Sequence, residues 1–199
     1  MSKAPRYDVP NAAPDELRLV QLFVNTTDEE LSRELLDSPR GLGDWLVEQG
    51  LLGPTARVTR ADLVRATTLR RALHALLAAN NSGPASKAAA DELNRAARRG
   101  RIELRVTPSG SAELVVGADG VNGALARIAA AAMTAMLDGS WSRLKACRNC
   151  GFAFYDFSRN RAGTWCSMVI CGNRLKTRRY RARRRRRPAS DVSEPRRVV

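Results

Sequence analysis

The sequence predicts an α+β fold. A mainly helical N-terminal domain with a small antiparallel β-hairpin or sheet precedes a small four-cysteine module, made of a β-hairpin and a basic C-terminal helix. Three observations predict this. Apolar residues recur at helical spacing through most of the first 140 residues. One pair of segments, near residue 105, alternates as strands do. All four cysteines lie after residue 146, next to a run of arginines.

The composition changes near residue 141, which predicts domains at 1–140 and 141–187 and a disordered tail at 188–199. Residues 1–146 carry 19 Lys+Arg against 17 Asp+Glu, whereas residues 147–199 carry 15 against 3. A domain of about 140 residues can bury enough surface to fold unaided, but one of roughly 40 residues usually needs a metal. The positive charge is therefore concentrated in the part that needs a metal.

Two short helices are predicted near the N-terminus. Asp15–Val24 has a thick apolar stripe at helical spacing. The following segment, Leu31–Leu36, is short helical or irregular. Leu42–Gln49 forms the second helix, which Gly50 closes.

Two longer helices follow. Thr59 and Asp62 have the spacing of a capping box, which opens a helix that continues to about Ala79. Ser86–Arg99 is amphipathic, and Gly100 is placed to end it.

A hairpin and an apolar helix complete the N-terminal domain. Ile102–Val106 alternates apolar and charged residues, and Ala112–Val116 follows after a turn, so the two are predicted to pair. Val121–Leu137 is predicted to be a buried helix, because its apolar run, Ala124–Leu137, is shorter than the ~20 residues that a membrane span needs.

The four cysteines have the spacing of a tetrahedral metal site. Cys147 and Cys150 are separated by two residues, and Cys166 and Cys171 follow after a gap long enough for a hairpin. Zinc is the expected ion, although iron accepts the same sulfurs. Disulfides are disfavoured because no export signal is evident, and a site of four protein ligands is structural.

Aromatic residues concentrate between the two cysteine pairs. Their alternation predicts a strand after the first pair, and we expect their rings to cover the metal site rather than to stack on bases. These residues are Phe152, Phe154, Tyr155 and Phe157. Trp165 and Met168 are also expected to pack.

A strongly basic segment follows the last cysteine. Gly172–Arg187 contains ten basic residues, and no acidic residue occurs from Phe157 to Ser190. Asn173 is placed to cap a helix that continues to Arg187. Because the arginines lie on all faces of such a helix, the pattern favours contacts with nucleic-acid backbone, and a solvated charged tail is the alternative.

These residues resemble the CGNR zinc finger. The resemblance lies in Trp165-Cys166-Ser167-Met168, in Cys171-Gly172-Asn173-Arg174 with Lys176, and in Phe154-x-Asp156-x-Ser158-Arg159-Asn160. The N-terminal part is similar to the ABATE domain at Phe23-Val24-Asn25-Thr26, Leu42-x-x-Trp45-Leu46 and Leu69-Arg70-x-Ala72-Leu73. This resemblance implies a bacterial stress-related transcription regulator whose zinc finger binds DNA.

The chain departs from the family pattern in two places. Many relatives space the first cysteine pair more widely, and many have a basic residue before the tryptophan where this chain has Ala162-Gly163-Thr164. The predicted DNA contacts are Arg159, Arg161, Asn173, Arg174, Lys176, Arg178, Arg179, Arg181, Arg183 and Arg185.

Polar residues on the apolar N-terminal helices suggest a small-molecule site. Arg70 and His74 are four residues apart and share a helix face, so together they could hold a carboxylate or phosphate. The candidate residues are Asn25, Thr26, Trp45, Arg70, Arg71 and His74. Capping, core packing and surface charge are the ordinary alternatives for the same residues.

The leading hypothesis is a zinc-dependent transcription regulator that binds double-stranded DNA in the cytoplasm, associated with the nucleoid. Its N-terminal domain would sense an anionic small molecule or form a homodimer. An RNA-binding accessory protein is the main alternative. Enzymatic function is disfavoured, since the chain has one histidine and no glycine-rich phosphate loop. Polybasic docking to a membrane would leave the cysteines unexplained.

Overall fold

The structure, a computed structural model, describes residues 11–173 and 177. The chain forms two compact units, Met1–Cys166 and Ser167–Val199. The described part of the first unit contains five α-helices and three small antiparallel sheets. The described part of the second contains a π-helical turn, Met168–Gly172. The predicted α+β class, with a mainly helical N-terminal region, is confirmed.

The helices are α1 (Leu17–Val24), α2 (Pro39–Glu48), α3 (Arg60–Ala79), α4 (Lys87–Arg99) and α5 (Gly120–Asp138). The strands are β1 (Thr27–Asp28), β2 (Arg33–Glu34), β3 (Ile102–Val106), β4 (Ala112–Val116), β5 (Leu144–Ala146) and β6 (Ala153–Tyr155). They pair as β1 with β2, β3 with β4 and β5 with β6.

Three of the helices begin at capping side chains. The hydroxyl of Ser38 accepts a hydrogen bond from the backbone of Gly41 before α2, and Ser86 caps α4 in the same way. At α3 both halves of the predicted capping box are present. Thr59 accepts from the backbone N of Asp62 at 3.2 Å, and the Asp62 carboxylate accepts from the backbone N of Thr59 at 2.8 Å.

Helix α5 lies in the core and contacts α1, α3 and α4. Ala126, Ile128, Ala129 and Ala132 are fully buried, so the prediction of a buried helix is confirmed. In the described part of the chain, α5 alone is long and apolar enough to cross a membrane, but 61% of its most apolar stretch is buried inside the protein. A buried core helix has the same length and composition.

The segment predicted as short helical or irregular, Leu31–Leu36, contains the second strand of a small hairpin. Thr27 pairs with Glu34 and Asp28 with Arg33, and the 3₁₀ turn Glu29–Leu31 joins the two strands. Strands of two residues are too short to show an alternating pattern, so no periodic signal predicts them.

The β3–β4 hairpin has the predicted bounds, with Leu104 opposite Leu114. Strand β6 also lies where the aromatic pattern placed a strand, after the first cysteine pair. Its partner β5 was not predicted, because three residues are too few to establish an alternating pattern. The β5–β6 pair contacts the N-terminal helices, β5 with α3 and β6 with α1.

Candidate metal centre

The ligand sulfur atoms of all four cysteines lie within 4.8 Å of one another, and none of the four forms a disulfide. The Sγ atoms of Cys150 and Cys166 are 3.6 Å apart. Zn–S bonds of about 2.3 Å place the sulfurs of a tetrahedral site about 3.8 Å from one another. The four sulfurs therefore fit a single zinc ion, and because all four ligands come from the protein, the site is structural.

The turn between β5 and β6 carries the first two cysteines. The backbone N of Cys147 donates to the carbonyl of Phe152 at 2.9 Å, and Gly151 donates back to the carbonyl of Cys147 at 2.8 Å. Gly151 has a φ of +74°, a conformation that residues with a side chain rarely adopt. The glycine thus lets the chain reverse sharply enough for Cys147 and Cys150 to face one point.

The other two cysteines are positioned by separate backbone contacts. In the first unit, the side-chain amide of Asn11 donates to the carbonyl of Cys166 at 2.8 Å. In the second unit, the carbonyl of Ser167 accepts hydrogen bonds from the backbone N of Cys171 at 2.9 Å and of Gly172 at 3.1 Å. Cys171 therefore sits on a helical turn.

Because these thiols lie so close together, their pKa values shift in opposite directions. Hydrogen bonds from Cys150 and Cys166 hold the pKa of Cys147 well below its usual range. The contact with Cys147 raises the pKa of Cys150 to about 12, and contacts with Cys147 and Cys150 raise the pKa of Cys166 as well. A divalent cation would stabilise the deprotonated form of all four thiols, because its charge offsets the repulsion between neighbouring thiolates.

Helix α1 holds the edge of β6. The side chain of Asn25 donates to the carbonyl of Ala153 at 2.9 Å and accepts from its backbone N at 2.7 Å. Gln21 donates to the same carbonyl at 3.1 Å. Asn25 and Gln21 are both buried, so these amides replace the neighbouring strand that β6 lacks on this side.

Helix α3 and the residues after it hold the cysteine-bearing turn. His74 Nε2 lies 2.9 Å from the carbonyl of Gly151. Asn81, beyond the end of α3, donates to the carbonyls of Ala146 at 2.8 Å and Thr164 at 3.0 Å. Asn80 donates to the carbonyl of Leu144 at 2.9 Å. These side chains fix the segments on both sides of the first three cysteines.

A buried ion pair organises the loop after β6. Lys145 Nζ lies 2.7 Å from Asp156 Oδ2, and both side chains are at most 5% exposed. The same ammonium donates to the carbonyls of Arg161 at 2.5 Å and Gly163 at 3.1 Å. The loop is thus tied to β5 at three points.

The Asp156 carboxylate is held in its charged form. Burial alone would raise its pKa, but hydrogen bonds from Lys145, Ser158 and Gly163 outweigh burial and lower the pKa to about 2. A Cβ atom on Gly163 would lie 2.7 Å from this carboxylate, so a side chain there would collide with it. Sequence reasoning missed this pair, although Asp156 is the sole acidic residue between Cys147 and Ser190.

The predicted small-molecule residues make internal contacts. The Arg70 guanidinium is 2.6 and 2.7 Å from the two carboxylate oxygens of Glu34 and donates to Thr26 Oγ1 at 2.8 Å. Burial would raise the pKa of Glu34, but hydrogen bonds from Arg70 and Leu36 lower it. Thr26 Oγ1 in turn donates to the carbonyl of Phe23 at 2.8 Å. The carboxylate beside Arg70 is therefore the protein's own.

The remaining members of this set are dispersed. Trp45 is buried, with its ring 5.4 Å from that of Phe23. Arg71 is exposed. Asn25 and His74 each bind backbone groups of the cysteine-bearing hairpin. The structure thus brings Thr26 and Arg70 into contact and gives the other members separate surroundings.

An open cleft of about 700 Å³ lies elsewhere, between α1, β4 and α5. None of the six predicted residues lines it. Arg18, Arg105 and Arg127 do, together with the acidic residues Asp15, Glu16 and Glu113 and apolar side chains such as Leu22. No sequence pattern pointed to this cleft, because its residues come from elements far apart in the chain.

The predicted DNA-contact residues are described only in part. Arg159 and Arg161 are exposed on the loop after β6, and Arg161 donates to Ser142 Oγ at 3.0 Å. Asn173 is exposed, and a helical turn already precedes it, so it does not begin the helix. The residues outside the described part are Arg174, Lys176, Arg178, Arg179, Arg181, Arg183 and Arg185. The rest of the predicted basic helix, apart from Thr177, and the tail at 188–199 also lie there.

The aromatic residues between the cysteine pairs are mostly internal. Phe152, Phe154 and Tyr155 are buried, as expected. Phe157 is 58% exposed, with its ring 4.8 Å from that of Tyr155. Met168, which was expected to pack, is 55% exposed.

Comparison with known protein families agrees with this architecture. Residues 17–139 match the model of the ABATE family, described as "Putative stress-induced transcription regulator". Residues 143–184 match the model of the CGNR zinc finger. The resemblance seen in the sequence is confirmed, in the same order along the chain. No curated protein matches the chain significantly.

Proposed function

This chain belongs to the ABATE family and continues into a CGNR zinc finger, and from this membership we propose that it is a zinc-dependent transcription regulator that binds double-stranded DNA. Its place of action is then the bacterial cytoplasm, on the nucleoid. Its role is regulatory rather than catalytic.

The observation that carries this proposal is that the basic segment follows the last metal ligand directly in the sequence. The chain runs from Cys171 directly into Gly172–Arg187, where ten of sixteen residues are basic. Four thiolates and one zinc ion leave a net charge of −2 at the site. The ten positive charges of Gly172–Arg187 far exceed it. Such a density of positive charge attracts a polyanion over distances comparable with the Debye length.

The loop after β6 offers further positive charge on a fixed frame. Arg159 is exposed and belongs to the loop that Lys145 and Asp156 hold together. A phosphate contact made from an ordered loop costs less conformational entropy than one made from a free chain. We therefore assign phosphate binding to Arg159 and Arg161, as well as to the basic residues after Asn173.

Salt dependence tests the proposal. With about six phosphates neutralised, the logarithm of the affinity for duplex DNA should fall with the logarithm of salt concentration at a slope near −5. A slope near −1 would contradict phosphate-driven binding. Competition between duplex DNA and structured RNA at physiological salt separates DNA binding from the alternative RNA-binding role, which uses the same charges. A Cys166→Ser variant serves as the metal-site control.

Small-molecule sensing by the N-terminal domain is a second element of the proposal. The cleft between α1, β4 and α5 has room for a metabolite, and Arg127 is among the cationic residues that line it. A thermal-shift screen of the full chain with anionic metabolites tests this. Stabilisation that an Arg127→Gln variant loses would support an anion in the cleft, and an equal response of both proteins would place the ligand elsewhere.

A further inference from the structure

Strand β3 exposes two of its three apolar side chains and one backbone edge. Ile102 packs against the core, but the four residues that follow are exposed. Leu104 and Val106 are 66% and 69% exposed. In the described part of the chain, β4 is the one strand that pairs with β3. An apolar strand with a free edge is a template for another strand.

The hydrogen-bond pattern shows which backbone groups point outward. Arg101 accepts from the backbone N of Gly117 at 3.1 Å, and Thr107 donates to the carbonyl of Ser111 at 2.8 Å. Because an antiparallel strand alternates its bonding direction at each residue, Glu103 and Arg105 also bond toward β4. The backbone groups of Ile102, Leu104 and Val106 therefore point to the free edge.

We propose that the chain forms a homodimer in which β3 pairs antiparallel with β3 of a second copy, about a two-fold axis at Leu104. This register places Leu104 opposite its counterpart and Ile102 opposite Val106 of the partner. All three residues have outward backbone groups, so the pairs can exchange six hydrogen bonds. The result is a continuous four-stranded sheet, in the order β4–β3–β3–β4.

The charges on β3 select this register. An axis at Leu104 sets Glu103 of each copy opposite Arg105 of the other, in non-hydrogen-bonded pairs where side chains lie closest. An axis at Glu103 would place two carboxylates face to face, and an axis at Arg105 would place two guanidinium groups face to face. A shift by one residue would pair outward with inward backbone groups and lose the ladder.

The second copy also explains the uneven burial of the strand. In each copy, Ile102 packs on the core and Val106 is exposed. Antiparallel pairing places Val106 of one copy beside Ile102 of the other. Two copies therefore share one apolar row of six side chains. A two-fold dimer suits a regulator that binds two half-sites, which is where this inference rests on the proposed function.

Charge reversal on the full chain tests the interface without DNA, so that failure of the dimer and failure of DNA binding are distinguishable. Sedimentation equilibrium should show a dimer for the natural chain. Glu103→Arg and Arg105→Glu should each weaken self-association about tenfold or more, because like charges then face each other. An equimolar mixture of the two variants should restore the dimer, since their charges complement each other.

The matched control is Glu48→Arg, which makes the same charge change at an exposed position on α2, and it should leave the dimer unchanged. A monomeric natural chain would overturn the proposal. So would a dimer that tolerates Glu103→Arg, or a mixture of the two variants that stays monomeric while circular dichroism shows both folded.

Discussion

The side chain of Asn25 binds both backbone hydrogen-bonding groups of Ala153, donating to its carbonyl at 2.9 Å and accepting from its N–H at 2.7 Å. An amide thus takes the place of a neighbouring strand along the edge of β6. The two residues are 128 positions apart and belong to different family matches, ABATE and the CGNR zinc finger. The first part of the zinc finger is therefore bound into the surface of the ABATE domain.

The Asn25→Ala variant should lower the free energy of unfolding by about 1–3 kcal/mol. It leaves the buried N–H of Ala153 without a partner, whereas the Ala153 carbonyl keeps its hydrogen bond from Gln21. Urea denaturation measures this. The control is Asn160→Ala, at an exposed position on the loop after β6, which should change stability by less than about 0.5 kcal/mol. Equal effects of the two variants would show that the contact with Ala153 contributes nothing.

The Gly151→Ala variant should destabilise the chain by about 1–2 kcal/mol and weaken zinc binding. The cause is a φ of +74°, which costs about that much in a residue with a Cβ, together with a contact of 3.1 Å to His74 Nε2. Denaturation and zinc competition with a chromogenic chelator measure the two effects. Gly53→Ala is the control, since a Cβ there meets nothing within 4 Å; an unchanged zinc affinity in Gly151→Ala would contradict the role of this turn.

The ion pair of Lys145 and Asp156 predicts a pH dependence. The folded pKa of Asp156 is about 2, below the value of about 3.9 for an unfolded aspartate. The carboxylate therefore contributes stability fully above about pH 4, and the contribution is lost as the pH falls toward 2.

Comparison with Asp156→Asn isolates this effect from acid release of the metal, which both proteins share. The natural chain should be more stable by about 3–5 kcal/mol at pH 6, because the variant leaves the Lys145 ammonium buried without its partner charge. Denaturation at pH 6, 4 and 3 should show the difference shrinking. A difference that stays constant over this range would contradict the assignment.

The Arg159→Ala variant should reduce the salt slope for duplex DNA by about 0.9, the value of one phosphate contact. Fluorescence anisotropy over a series of salt concentrations measures the slope. Arg40→Ala is the matched control, because Arg40 is 90% exposed but lies on α2, far along the chain from the zinc finger. If the two variants give the same slope as the natural chain, Arg159 does not contact phosphate.

Most of the fold could be predicted from signals between residues close together in the sequence. The capping box of Thr59 and Asp62 needs residues three apart, and the β3–β4 hairpin shows alternation on both sides of a short turn. Both were predictable for that reason. Strand β5 was not, because three residues are too few to show a period and its position depends on β6 and on the side chain of Asn80, just after α3.

The metal site was predictable because the spacing of the cysteines is typical of one. The polar contacts around the site were not predictable. Arg70 shares a helix face with His74, which suggested an anion site, but its partner Glu34 lies 36 residues away on a two-residue strand. Asn81 binds the carbonyls of Ala146 and Thr164 across separations of 65 and 83 residues. Contacts of this kind depend on the tertiary arrangement and leave no pattern in the sequence.

Metal analysis tests the central claim most directly, namely that one zinc ion is held by Cys147, Cys150, Cys166 and Cys171 and anchors the basic segment that follows. Elemental analysis of the purified full chain should give one zinc per chain, and zinc-edge X-ray absorption should give four sulfur ligands at about 2.3 Å. Protein that carries no stoichiometric metal, or zinc bound by nitrogen or oxygen in place of any of these sulfurs, would contradict it.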